Sequence, residues 1–191
     1  MNKSELRLLY KKKRAELSSS EIARFNDLIL IQFQKLSIGF INCVHTYLPS
    51  MKLREPDTAL IIRYLEFTNP ELKVAVPSIN KISGILDHYY LEEQSLRMIN
   101  KFGIEEVHEG EPVSISEIDL VLVPMLAFDN DGYRVGYGKG YYDKFLSLCR
   151  ADTLVVGLSF FAPEEKIDDR NEFDIALNFC ITPSEIFNFN K

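Results

Sequence analysis

The sequence predicts an α/β layered fold in which helices flank a mixed, largely parallel central sheet. The first observation is that helical segments and short apolar strands alternate along the 191 residues. The second is that Leu120–Pro124 and Thr153–Leu158 are almost wholly apolar, which is typical of strands covered on both faces. The third is that no repeat, linker or low-complexity segment interrupts the chain. Residues 1–191 are therefore predicted to form a single domain.

The first predicted helix, Lys3–Leu17, carries a stripe of positive charge. Its members recur at helical spacing, so they share one face: Lys3, Arg7, Lys11 and Arg14. Two interpretations remain open from the pattern alone. The stripe is either a solvated face or a surface whose beginning reaches over a bound triphosphate.

Helices and strands then alternate as far as the middle of the chain. The capping box Ser18-x-x-Glu21 opens a second helix. The segments that follow are predicted to be a strand at Phe40–Leu48, a helix at Ala59–Phe67, strands at Leu72–Val76 and Gly84–Leu91, a helix at Glu92–Asn100 and a loop at Lys101–Ser116. His45 is predicted to be a core or edge histidine rather than a base. The loop Pro49–Pro56 joins the end of a strand to a helix, and ligands bind at that edge of open α/β sheets.

The stretch Asp119–Phe145 combines a buried strand, a glycine-rich loop and the start of a helix at Tyr141–Arg150. The loop contains four glycines and two cations: Gly132, Gly136, Gly138, Gly140, Arg134 and Lys139. Glycines let backbone N–H groups approach a phosphate, and the unpaired amides of a helix N-terminus point at it. Asp143, in the first helical turn, is either a magnesium ligand or only a capping residue. The loop is neither a Walker loop nor a dinucleotide fingerprint, but its chemistry favours a phosphate site.

Composition narrows the classes of partner. The hydrophobic share of 46% and the charged share of 26% are those of an ordinary soluble protein, and the net charge of −6 argues against nucleic acid or anionic membrane. No apolar run approaches the roughly 20 residues of a membrane span, and the N-terminal segment resembles neither a secretory signal nor a transit peptide. Three cysteines (Cys43, Cys149 and Cys180) are predicted to be buried free thiols. We expect a cytoplasmic monomer with a small-molecule substrate and no nucleic-acid or membrane partner.

The glycine-rich stretch closely resembles the signature of the 5-formyltetrahydrofolate cyclo-ligase family, whose members are also called methenyltetrahydrofolate synthetases. The matching runs are Ala127-Phe128-Asp129, Gly132-x-Arg134 and Gly136-Tyr137-Gly138-Lys139-Gly140-Tyr141-Tyr142-Asp143. Lys3-Ser4-Glu5-Leu6-Arg7 matches the K-x-x-L-R start of the family, and the resemblance covers most of the chain. It implies that ATP and Mg²⁺ drive cyclisation of 5-formyltetrahydrofolate to 5,10-methenyltetrahydrofolate. Phosphorylation of the formyl oxygen would release ADP, and closure of the ring would then release phosphate.

The resemblance also implies roles for individual residues. Arg134 and Lys139 would be catalytic, and Asp143 and Asp174 would bind magnesium. The implied ATP-binding residues are Lys3, Arg7, Arg134, Gly136, Tyr137, Gly138, Lys139, Gly140, Tyr141, Tyr142 and Asp143. The implied folate-binding residues are Leu48, Glu55, Tyr137 and Tyr141. Asp174 lies at the head of a last predicted strand, Phe173–Ile181.

Two alternatives remain from the residues: a small-molecule kinase with a related loop, and a non-catalytic nucleotide-sensing module. The folate side distinguishes them, because a sensor has no reason to keep Glu55 and Tyr141 beside the ATP groups.

Overall fold

The computed structural model describes residues 1–80, 82–92, 95–99 and 105–189. The helices are α1 (Lys3–Glu16), α2 (Ser19–Phe33), α3 (Ala59–Thr68) and α4 (Tyr141–Leu146), with a 3-10 turn at Ile115–Glu117. The strands are β1 (Cys43–His45), β2 (Lys73–Ile79), β3 (Leu86–Tyr90), β4 (Leu96–Ile99), β5 (Glu105–Glu109), β6 (Leu120–Val123), β7 (Ala127–Phe128), β8 (Arg134–Val135), β9 (Leu154–Leu158), β10 (Phe179–Ile181) and β11 (Ile186–Asn188).

The central sheet contains seven strands in the order β11-β10-β9-β6-β1-β2-β3. The inner strands β2, β1, β6, β9 and β10 pair in parallel. The two edge strands, β3 and β11, pair antiparallel. The predicted mixed, largely parallel sheet is therefore confirmed. All four residues of β6 are buried, as expected for a central strand covered on both faces.

Apolar layers cover the two faces of the sheet. On one face, α2 and α3 pack through Ile29, Phe33 and Ile61 against β1 and β6. On the other face, α4 packs through Phe145 and Leu146. A third cluster joins α1 to the β7–β8 hairpin through buried residues of both: Leu6, Tyr10, Leu126, Ala127 and Val135. Because this cluster holds the apolar side of α1 against the hairpin, the basic stripe of α1 lies beside the glycine loop.

The helix starts follow the local chemistry of the sequence. Ser18 and Glu21 form the predicted capping box of α2, and Asn2 with Glu5 forms a second capping box at α1. The predicted helix Tyr141–Arg150 is too long, because α4 ends at Leu146. The chain continues as i→i+3 turns, with the amides of Leu148 and Cys149 bonded three residues back.

The segment before the central stretch was predicted wrongly. Leu96–Ile99, inside the predicted helix Glu92–Asn100, is strand β4, and it pairs antiparallel with β5 inside the predicted loop Lys101–Ser116. Residues 93–94 and 100–104 of those two segments lie outside the described residues. Pairing between the two strands overrides the weak local preference that predicted a helix and a loop.

Several strand bounds also differ from the prediction. β1 is shorter than Phe40–Leu48, and β2 continues through Pro77 to Ile79. The pairing of β2 with β1 ends at Ala75 opposite His45, so the missing N–H of Pro77 breaks no ladder bond on that side. Only Phe179–Ile181 of the predicted strand Phe173–Ile181 is extended in the sheet. β11, which the sequence did not predict, pairs beside it.

The three cysteines are unpaired. Cys43 and Cys180 are buried as predicted, whereas Cys149 is only partly buried. Burial raises the pKa of the Cys43 thiol to about 11, so this sulfur remains protonated and unreactive at neutral pH. Among the described helices, none is both long and apolar enough to cross a membrane.

Candidate active site

A cavity of about 750 Å³ opens at the carboxyl-terminal edge of the parallel strands. Leu48, which follows β1, lies in its wall together with Ile79 at the end of β2 and Pro124 after β6. Open α/β sheets bind ligands at this edge, because loops from several strands converge there. The cavity therefore lies where a ligand-binding site is expected in this class of fold.

Every residue that the sequence assigned to ATP, folate or metal lines this cavity: Lys3, Arg7, Leu48, Glu55, Arg134, Gly136, Tyr137, Gly138, Lys139, Gly140, Tyr141, Tyr142, Asp143 and Asp174. Their shared location is compatible with the predicted roles, which stay predictions. The wall also contains residues for which the sequence suggested no role: Lys11, Tyr47, Lys52, Leu53, Pro77, Ile79, Leu86, Pro124, Asp169 and Asn171. Several of these follow the ends of parallel strands, a signal that was available from the sequence.

The glycine loop holds Arg7 against its backbone. The Arg7 Nε donates to the carbonyl oxygen of Gly136 over 2.9 Å. Gly138 has φ of 90°, and a Cβ atom placed on it would lie 3.2 Å from the Arg7 Cζ. Gly138 is therefore required both by its left-handed backbone and by the close approach of Arg7. At Gly136 and Gly140, by contrast, a Cβ atom would meet nothing within 4 Å.

Arg134 and Asp143 form an ion pair in the cavity wall. The Arg134 side chain is 4% exposed; its Nη2 donates to Asp143 Oδ1 over 2.7 Å, and its Nη1 donates to the carbonyl oxygen of Ile175 over 2.6 Å. Burial lowers the pKa of Arg134, and the charge of Asp143 opposes that effect. Both ends of the guanidinium are thus occupied by protein groups. In this arrangement Arg134 holds Asp143, a pairing that the sequence did not predict.

Lys3 and Asp174 form a second ion pair at the same cavity. Lys3 Nζ lies 2.6 Å from Asp174 Oδ1, and both side chains are 13% exposed. The backbone amide of Lys3 also donates to Asp169 Oδ1 over 2.7 Å, which fixes the start of α1. Two residues that were predicted to have separate roles, one with ATP and one with metal, therefore neutralise each other.

Asp143 and Asp174 are the two carboxylates of the cavity that were predicted to bind magnesium. Their oxygens are the donor type that Mg²⁺ prefers, and Mg²⁺ is usually held by one or two carboxylates, waters and substrate phosphates. In the part of the chain that the structure describes, no group of three or more His, Cys, Asp or Glu residues is placed to hold a metal. Two carboxylates without a third protein ligand would hold Mg²⁺ only together with waters and substrate phosphates. Such an ion would compete with Lys3 for Asp174.

Glu55 also lines the cavity and is 9% exposed. Its Oε1 accepts a hydrogen bond from the Tyr137 hydroxyl over 2.6 Å. Its Oε2 accepts one from the backbone amide of Ser50 over 2.9 Å. Burial, and next the Glu55 charge, raise the pKa of Tyr137 well above its ordinary value. The Tyr137 side chain thus joins the glycine loop to the Glu55 loop, and both residues were predicted to bind folate.

His45 and His88 form a buried pair beneath α4. His45 is 0% exposed, as predicted for a core histidine, and its Nε2 lies 3.1 Å from His88 Nδ1. The ring of Phe145 lies 4.2 Å from that of His88 between centroids. Burial lowers the pKa of His45 well below 6.5 and that of His88 to about 4. Neither ring lines the cavity, so the pair supports the helix that carries Tyr142 and Asp143.

We expect this pair to make the fold less stable as the pH falls. Below pH 6.5 the unfolded chain binds protons on histidines that the folded chain leaves neutral, because both folded-state pKa values are lowered. The free energy of unfolding is therefore not reduced by these histidines above pH 6.5. It falls toward pH 4 by about 1.4 kcal/mol per pH unit for each histidine. His88→Gln should reduce this slope when urea unfolding is measured at several pH values. An unchanged slope would contradict the assignment.

Comparison with known proteins identifies relatives of the chain. A family model described as the 5-formyltetrahydrofolate cyclo-ligase family matches residues 1–167. This span includes α1, the Glu55 loop and the glycine loop, whereas Asp174 lies beyond its end.

Individual relatives agree with the family match. The 5-formyltetrahydrofolate cyclo-ligase of Mycoplasma genitalium is 25% identical over 184 residues, which cover 94% of this chain and 98% of that protein. The enzyme of the same name from Mus musculus is 42% identical over 62 residues, which cover 30% of each chain. The NMR structure of Aquifex aeolicus 5,10-methenyltetrahydrofolate synthetase superposes with a TM-score of 0.81 at 28% identity, covering 100% of this chain and 94% of that one.

Proposed function

The chain belongs to the 5-formyltetrahydrofolate cyclo-ligase family, and from this membership we propose that it is a ligase that converts 5-formyltetrahydrofolate to 5,10-methenyltetrahydrofolate at the expense of ATP. One observation supports this function above the others. A single cavity is lined both by the glycine loop with its cations and by Leu48 and Glu55. A nucleotide sensor or a kinase for another substrate would have no need of Leu48 and Glu55 beside the glycine loop.

We assign the triphosphate of ATP to the glycine loop. The space in front of Gly136 and Gly140 supports this assignment, since no atom stands where their side chains would be. A phosphate can therefore approach the backbone closely. α4 has only six residues, so the loop amides and the nearby cations must provide most of the attraction. Those cations are Lys3, Arg7 and Lys139.

We assign magnesium to Asp143 and Asp174. A bound Mg²⁺ ion would supply positive charge to the phosphates during transfer. Arg134 holds Asp143 in place through its 2.7 Å contact, and Lys3 holds Asp174 until a ligand arrives. The protein thus keeps both carboxylates neutralised inside the cavity when no ligand is present, which reduces the cost of their burial.

The composition of the wall favours transfer to an oxygen of the second substrate. No serine, threonine, cysteine or histidine is among the described residues that line the cavity. Its most buried acid, Glu55, already accepts two hydrogen bonds from the protein. The formyl oxygen is made nucleophilic by amide resonance, so it attacks the γ-phosphorus and ADP leaves. The second folate nitrogen then bonds to the formyl carbon and loses its proton, and the carbon–oxygen bond breaks to release phosphate. The protein positions the reactants and stabilises charge.

An assay with isotopically labelled substrate tests this function. Purified protein is incubated with ATP, Mg²⁺ and 5-formyltetrahydrofolate carrying heavy oxygen in the formyl group. We expect methenyl absorbance to rise and the label to appear in the released phosphate. No methenyl product would contradict the function. Product formed with unlabelled phosphate would contradict only the phosphorylation of the formyl oxygen.

We expect replacement of both Lys3 and Arg7 by alanine to raise the KM for ATP by about tenfold or more, because each charge-assisted contact to phosphate is strong. The KM for 5-formyltetrahydrofolate should change less, since Arg7 donates to Gly136 of the glycine loop and Lys3 pairs with Asp174, a proposed magnesium ligand. Steady-state kinetics measure both constants. Lys12→Ala is the matched control, because the Lys12 side chain is on the same helix and 77% exposed. Equal increases in both KM values would indicate a folding defect. No increase in the KM for ATP would contradict contact between the basic stripe and the triphosphate.

A further inference from the structure

Arg14 is a buried cation behind the cavity wall, and the reaction proposed above does not use it. The residue is 2% exposed and does not line the cavity. Its Nη2 donates to the carbonyl oxygen of Met125, and its Nη1 donates to the Tyr137 hydroxyl over 3.2 Å. Its Nε has no hydrogen-bond partner among the described residues. A buried cation is costly unless other groups compensate its charge, so its position requires an explanation.

The hydrogen bonds of Arg14 lead to a carboxylate through a single intermediate. Tyr137 accepts from Arg14 over 3.2 Å and donates to Glu55 Oε1 over 2.6 Å. A guanidinium can only donate, so the phenolic oxygen must accept from it. The single phenolic proton is then left for Glu55. Arg14 therefore sets the direction of the hydroxyl, and its charge is compensated by Glu55 across that hydroxyl.

The far end of this chain of contacts is also fixed. Glu55 Oε2 accepts from the amide of Ser50 over 2.9 Å, so both oxygens of the carboxylate are held by protein groups. Each oxygen keeps a second lone pair, and Glu55 lines the cavity. A carboxylate held in this way is preorganised to accept hydrogen bonds from two adjacent N–H groups of a ligand.

We propose that Arg14 is a positioning residue for the second substrate: through the Tyr137 hydroxyl it holds Glu55 in the orientation that binds the N–H groups of the folate ring, a role that rests on the function proposed above. Tyr137 lies between Gly136 and Gly138. The same contact therefore keeps the Glu55 loop in register with the glycine loop, so Arg14 affects folate binding from outside the cavity.

A double-mutant cycle measures this role. Calorimetric titration gives the Kd for 5-formyltetrahydrofolate and the Kd for ATP. Both are measured with the wild-type protein, with Arg14→Lys, with Tyr137→Phe and with the double variant. We expect each single change to raise the folate Kd by about tenfold, as for loss of one charge-assisted hydrogen bond. The double variant should show no more than the larger single effect, because both changes break one link. Arg14→Lys should leave the ATP Kd within about twofold. Lys12→Met, on the exposed side of α1, should leave both Kd values unchanged.

The outcomes separate this role from the proposed function. A wild-type chain that does not bind 5-formyltetrahydrofolate would contradict the function itself. Wild-type binding with an unchanged folate Kd in Arg14→Lys would overturn only the positioning role. The positioning role would also be overturned if the folate Kd of the double variant rose by the product of the two single effects. Equal increases in the ATP Kd and the folate Kd of Arg14→Lys would overturn it too. Failure of Arg14→Lys to fold, judged by thermal unfolding, would assign Arg14 to stability instead.

Discussion

Replacing Asp143 with asparagine is expected to lower kcat by roughly 100- to 1,000-fold, the usual effect of losing one preorganised group that stabilises transition-state charge, here through the proposed magnesium ion. Two changes combine. The magnesium ion proposed at Asp143 and Asp174 loses an anionic ligand. Arg134, whose side chain is 4% exposed, loses the charge that compensates its own. Asparagine keeps an oxygen that can accept from Arg134 Nη2, so the chain should still fold.

The dependence on magnesium separates these two effects. Turnover of Asp143→Asn is measured over a series of Mg²⁺ concentrations, with circular dichroism as a check on folding. We expect the variant to require more Mg²⁺ for half-maximal rate. Asp152→Asn is a suitable control, because that side chain is 79% exposed and pairs with Arg150. Turnover like that of the wild type at limiting Mg²⁺ would mean that Asp143 only holds Arg134 and the amide of Ile175.

Replacing Lys139 with methionine is expected to reduce kcat by about 100-fold. Lys139 is the glycine-loop cation that we expect to stabilise the negative charge on the phosphoryl group during transfer. Lys139 is exposed, lies between two glycines and lines the cavity. Among the described residues it takes part in none of the ion pairs that hold Lys3 and Arg134. Its charge is therefore free to act on a substrate, whereas that of Arg134 is directed at Asp143.

Steady-state kinetics distinguish a catalytic role for Lys139 from simple binding. Loss of a contact made only in the transition state lowers kcat and kcat/KM together, and the KM for folate changes little. Lys144→Met is the matched control, because Lys144 is an exposed residue of α4 that does not line the cavity. An unchanged kcat with a raised KM for ATP would show that Lys139 binds ATP equally in the ground and transition states, which would contradict a catalytic role.

Local patterns were sufficient to predict much of the site. Three of the four loop glycines, Gly132, Gly138 and Gly140, have positive φ, a backbone conformation that favours glycine. Such requirements are written in adjacent residues and need no knowledge of the fold. A ligand site in the loop after β1 was similarly predictable, because the carboxyl edge of a parallel sheet is a general binding position, although β1 ends at His45 and not at Leu48 as predicted. The hairpin β4–β5 was not predicted, since its pairing depends on residues outside each local window.

The sequence by itself determined the α/β class, the capping box at Ser18, the buried strand β6 and the glycine-loop residues that line the cavity. Each of these follows from residue type and short-range spacing. Tertiary structure alone decided which charge meets which. Lys3 pairs with Asp174 across 171 positions, and Arg14 reaches Tyr137 across 123. Their spacing on α1 placed these cations on one face of the helix. The spacing did not determine whether that face is exposed to solvent or faces the cavity. Burial of Leu6 and Tyr10 against the β7–β8 hairpin settled that choice, because the stripe adjoins these two residues on the helix and is therefore brought against the glycine loop that follows the hairpin.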